Sequence, residues 1–86
     1  MKILRVIPSM DPKMGGPCQG IRNSIPELEK LGVSNEVVSL DNDSSAFIAE
    51  DKFLIHALGE GKGLWNYNSN LKYWLVDHIL NYDIVI

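Results

Sequence analysis

Cysteine is nearly absent from this sequence. Cys18 stands alone among 86 residues, which excludes an intrachain disulfide and any multi-cysteine metal site. A reducing, cytoplasmic setting is the expectation. Long hydrophobic runs are also missing. No window approaches the ~18 consecutive apolar residues of a membrane span. The opening "MKILRVIP" breaks at Arg5 and ends at Pro8, short of the roughly 7–15-residue apolar segment of a secretory signal. Excess positive charge is the third absence. Eight Lys and Arg stand against eleven Asp and Glu, for a net charge of −3, and the basic residues are scattered. No electrostatic footprint for nucleic acid or an anionic membrane results.

What is present is alternation. Residues 2–8 are rich in Ile and Val and bounded by the turn-forming "PSMDP", as in a strand buried on both faces. From Pro17 to Leu31, Cys18, Ile21, Ile25, Leu28 and Leu31 recur at spacings of three and four, which places them on one helical face. Pro17 suits the first turn of that helix, and Gly32 suits the position just past its end. Pro26 is discordant, because an interior proline removes one backbone bond and clashes with the carbonyl four residues earlier. The expectation is a kink or break between Arg22 and Pro26.

Residues 35–40, "NEVVSL", read as a second strand and residues 52–58, "KFLIHAL", as a third. The acidic "DNDSSAFIAED" between them leaves room for an irregular connection or one helical turn. A glycine-rich loop, 59–70, precedes a second helix capped by Ser69 or Asn70, with Leu71, Trp74, Leu75, His78 and Ile79 on one stripe. "YDIVI" is a fourth strand. Strands alternating with helices predict an α/β fold, a Rossmann-like parallel sheet with flanking helices. Ending inside an apolar strand, residues 1–86 read as the front part of a longer domain.

Ligands of open α/β sheets sit beyond the carboxyl ends of the strands, and the first strand-to-helix loop is a common phosphate site. The stretch "IPSMDPKMGGPCQG", residues 7–20, occupies that position. Adjacent Gly15 and Gly16 let backbone approach a ligand, and the free N–H groups opening the following helix favour an anion. The loop does not meet the G-x-G-x-x-G dinucleotide fingerprint, and neither it nor "GEGKG" supplies the G-K-[ST] of a P-loop.

Over essentially its whole length the chain resembles the N-terminal domain of GT-B glycosyltransferases, in particular the retaining, nucleotide-sugar-dependent family 4. The likeness is strongest in residues 1–40: a strand, a loop ending in Gly-Gly, a helix with "L…L…LG" and a second strand "EVVSL". "FLIHALG" and "YDIVI" are similar to later strands of that domain. The resemblance implies that Gly15 and Gly16 lie against the donor diphosphate and that Asp11 and Lys13 face the cleft on the acceptor side. It implies a nucleotide-sugar donor and a saccharide or lipid-linked acceptor, a role in surface polysaccharide or glycolipid biosynthesis, and peripheral membrane association of the full-length enzyme at the inner face of the membrane. No cofactor beyond the nucleotide-sugar substrate and no metal are implied. The cleft histidine after the fourth strand and the C-terminal donor-binding domain with its paired glutamates have no counterpart here, so the fragment alone is expected to be inactive.

A different class is a non-catalytic α/β nucleotide-binding module in which Asp41, ending the second strand, meets a ribose hydroxyl. A third is a packing unit completed by another chain. Bland roles are assigned elsewhere: His56 and His78 as structural histidines, Cys18 as a small packed residue, and Trp65 and Tyr67 as anchors of the glycine-rich loop rather than a stacking surface. Asp41, Asp43, Glu50 and Asp51 read as a solvated acidic loop, since no spacing fixes a metal site. A fourth strand at the sheet edge predicts self-association through residues 82–86.

Overall fold

A computed structural model describes residues 1–60 and 69–86 of the chain. Strand β1 (Lys2–Ile7) leads through a loop and a 3₁₀ turn, Pro12–Met14, into helix α1 (Gly16–Lys30). Strand β2 (Ser34–Ser39), a short helix α2 (Ala46–Glu50) and strand β3 (Ile55–Ala57) follow. Helix α3 (Ser69–His78), a second 3₁₀ turn at Ile79–Asn81 and strand β4 (Ile84–Val85) complete the described residues. The four strands form one parallel sheet in the order β3-β2-β1-β4.

The register explains how the two faces are used. Lys2 pairs with Ser34 and Ile7 with Ser39, while Val37 sits opposite Ile55 and Val38 opposite His56. Side chains alternate across a strand, so Ile7, Val37 and Ile55 share one face. There they pack with Met10, Cys18, Ile21 and Ile25, and with Phe47 and Phe53. Leu4, Glu36, Val38 and His56 take the opposite face, where Trp74 of α3 packs against His56 with ring centroids 4.8 Å apart. Helices therefore lie on both faces. Ile3 and Leu4 are both buried, as a two-sided strand requires.

Helix α1 runs without interruption through Pro26, which overturns the expected break. Pro26 is exposed, so its ring meets solvent rather than the sheet, and packing of Cys18 and Ile25 on the inner face holds the helix together. The helix ends in a Schellman motif. Val33 N–H donates to the Leu28 carbonyl and Gly32 N–H to the Glu29 carbonyl, with Gly32 at φ +84°. Leu31, expected on the buried stripe, is the C-cap residue and is exposed, because the chain leaves the helical spiral there. Strand β3 is shorter than residues 52–58, since only three of its residues pair with β2. Residues 61–68, with Trp65 and Tyr67, lie outside the described residues, so the roles expected of those aromatics do too.

Candidate functional site

The strand order changes direction at β1: β2 and β3 extend to one side and β4 lies on the other. In doubly wound sheets the crevice opens beyond the carboxyl ends of strands at such a switch point. The chain that emerges there from β1 is the Gly-Gly loop.

The base of this loop is fixed by Asp41, just past β2. Its carboxylate accepts from Ser9 Oγ at 2.5 Å, Met10 N–H at 2.8 Å and Ser39 Oγ at 2.7 Å, and the residue is only 6% exposed. Such charge-assisted bonds offset the cost of burying a carboxylate. Ser9 Oγ also accepts from Asp11 N–H at 3.0 Å. On its other side Met10 is held by Arg22 of α1, whose Nη2 donates to the Met10 carbonyl at 2.5 Å. The same guanidinium grips Asp51 through Nε and Nη2 at 3.0 Å each. Hydrogen bonding to Asp51 raises the Arg22 pKa above its ordinary value against the opposing effect of burial. Met10 is thus pinned at its N–H by β2, at its carbonyl by α1, and by a side chain buried in the core.

Two of the acidic residues read as solvated are therefore load-carrying partners in this scaffold. Asp41 is buried under three donors and Asp51 is paired with Arg22; Asp43 alone of the described side chains in that group is exposed. Among the described residues no group of His, Cys, Asp or Glu side chains is arranged to hold a metal ion.

The rim of the loop is open. Asp11 caps the 3₁₀ turn by accepting from Lys13 N–H at 2.9 Å, and Gly15 N–H returns to the Pro12 carbonyl at 3.3 Å. Gly15, at φ +79° and ψ −131°, turns the chain into α1 in a conformation that L side chains rarely adopt. Cys18 Sγ donates to the Gly15 carbonyl at 3.0 Å beneath the turn. Above it there is space: a Cβ placed at Gly15 or Gly16 meets nothing within 4 Å. No side chain caps the start of α1, and no acidic residue occupies its first turn. The first-turn amides thus keep their partial positive charge. Lys13 is exposed one turn upstream. The structure brings Gly15, Gly16 and Lys13 to one rim. Asp11, by contrast, spends a carboxylate oxygen on its own turn.

A second polar cluster lies on the α3 face, toward the start of β1. The Glu36 carboxylate accepts from Lys2 Nζ at 2.8 Å, His56 Nε2 at 2.7 Å and the Tyr82 hydroxyl at 2.9 Å. Burial raises the Glu36 pKa, but these bonds outweigh it and bring the group to about 2. Burial and the bond to Glu36 push Tyr82 up to about 12. His78 stacks on Trp74 at 4.2 Å and donates Nδ1–H to the Trp74 carbonyl at 2.7 Å. Both histidines are thus hydrogen-bonded within the fold.

Scans against protein-family models, curated proteins and solved structures return no match to this chain. No helix among the described residues is long and apolar enough to cross a membrane.

Proposed function

We propose that this chain is the front part of the acceptor-side, Rossmann-like domain of a GT-B glycosyltransferase, one that moves a sugar from a nucleotide-sugar donor to a saccharide or lipid-linked acceptor. The observation that carries the reading is the uncapped start of α1, opened by Gly15 at positive φ, at the switch point of a doubly wound parallel sheet. The space above Gly15 and Gly16 admits an anion to backbone N–H groups, and the exposed Lys13 adds a positive charge at the rim. In this reading the loop touches the donor diphosphate while a second domain supplies the remaining donor contacts. The chain by itself binds phosphate weakly and transfers nothing. The setting that fits is the cytoplasmic side of a membrane where polysaccharide or glycolipid is assembled.

A nucleotide module that uses Asp41 on a ribose hydroxyl gains no support, because that carboxylate already accepts from three donors. The test is an amide chemical-shift titration of the 86-residue chain with pyrophosphate. Shifts concentrated at Gly16 and Cys18, saturating with a dissociation constant on the order of 1 mM, are expected. Shifts spread evenly over the surface lysines, with none at the start of α1, refute the phosphate reading.

A further inference from the structure

Two carbonyls of the Gly-Gly loop, those of Met10 and Asp11, are turned inward by side chains of α1. Arg22 Nη2 donates to the Met10 carbonyl at 2.5 Å, and Cys18 Sγ lies 3.3 Å from the Asp11 carbonyl. Residues 18 and 22 are one turn apart, and helical side chains lean toward the N-terminus, so both reach back under the loop. The thiol is a weak donor with a single hydrogen, which it shares between Asp11 and Gly15. Arg22 is therefore the stronger hold. That hold is directional, because Asp51 takes the same guanidinium through Nε and Nη2 and fixes the plane of the fork. Nη1 is buried with no hydrogen-bond acceptor among the described residues. A buried donor left unpaired is unfavourable, so the guanidinium is oriented by Met10 and Asp51 at the expense of its own third nitrogen.

We propose that Arg22 is a positioning residue for the anion rim. By holding the Met10 carbonyl inward it keeps a negative partial charge away from the first-turn amides of α1, where an outward carbonyl would oppose an anion. Phosphate affinity then depends on a side chain that lies beneath the loop. Asp51 orients that side chain, which couples the rim to the segment following α2. This inference rests on the phosphate reading given above.

Pyrophosphate titration of the 86-residue chain, followed at the Gly16 and Cys18 amides, tests it by comparing wild type, Arg22→Lys and Val38→Ala. Lysine keeps the charge but has no planar fork with which to span Met10 and Asp51. Val38→Ala thins the core on the α3 face of the sheet and reports what lost stability does by itself. Arg22→Lys is expected to bind at least about fivefold more weakly, while Val38→Ala binds like wild type. Should Arg22→Lys lose structure by circular dichroism, Arg22→Met combined with Asp51→Asn, which strands no charge, takes its place with the same expectation. Equal affinity in wild type and the Arg22 variant overturns this inference alone, as does an equal loss in Val38→Ala. A wild type that shows no shift at these amides overturns the phosphate reading and this inference together.

Discussion

Replacing Glu36 by Gln removes a charge that three donors converge on. In the folded chain the Glu36 carboxyl titrates at about 2 against an ordinary 4.5. A depression of that size corresponds to about 3 kcal/mol of stability. For a domain of this length, at 0.05–0.15 kcal/mol per residue, the total is roughly 4–13 kcal/mol, so this one group matters. The sign follows from the direction of the depression. The folded state holds its proton less tightly than the unfolded state. The contribution is therefore complete above the unfolded pKa of 4.5 and is lost as pH falls through about 2. Lys2 is 42% exposed, so salt screens its share, whereas His56 and Tyr82 act from partly buried positions. The assay is urea unfolding of wild type and Glu36→Gln from neutral to acidic pH. At neutral pH the variant is expected to be less stable by about 3 kcal/mol, a gap that closes toward about pH 2. Subtraction removes the common titration of the other carboxylates. A gap that stays constant over this range refutes the assignment of that stability to the ionised Glu36.

Gly15 and Gly16 should separate conformational need from ligand space. Gly15→Ala is expected to cost about 1–3 kcal/mol in thermal or urea unfolding because of its positive φ, while Gly16→Ala, with open space at its Cβ, stays within about 0.5 kcal/mol. In a glycosyltransferase containing this domain, Gly16→Val is expected to lower kcat/KM for the sugar donor at least about tenfold with little change in Tm, whereas Glu29→Gln on the exposed side of α1 stays within about twofold. Donor-dependent turnover equal to wild type would show the glycines to be merely a turn. Asp41→Ala strands Ser9 Oγ, Met10 N–H and Ser39 Oγ without their acceptor and is expected to cost about 3 kcal/mol, read by urea unfolding at neutral pH; a loss below about 0.5 kcal/mol would mean that water replaces the carboxylate.

The alternating architecture was legible because it rests on local periodicity. Cys18, Ile21 and Ile25 predicted the inner face of α1, and the Ile and Val runs predicted β1 and β2 within a residue or two. The place of β4 at an edge followed from doubly wound order. The acidic stretch after β2 was misread, because the fates of Asp41 and Asp51 depend on Ser9, Met10 and Arg22, about 30 residues away in sequence. No periodicity carries that distance. Arg22 itself looked like one more scattered cation, although its position one turn beyond Cys18 aims it at the loop base. The Glu36 cluster was invisible for the same reason, as Lys2, His56 and Tyr82 come from three different strands or their flanks.

The central strand joins two very different spans of chain. Lys2 meets Ser34 across one helix, yet its backbone also meets Asp83, 81 residues away. Closing the longer span costs about 0.8 kcal/mol more in chain entropy than the shorter, and the two registered pairs of β4 return little for it. The β1-α1-β2 unit can therefore assemble early, with β4 arriving last and leaving first. Amide hydrogen exchange is therefore expected to run fastest in that strand, which has the fewest partners to break before it opens.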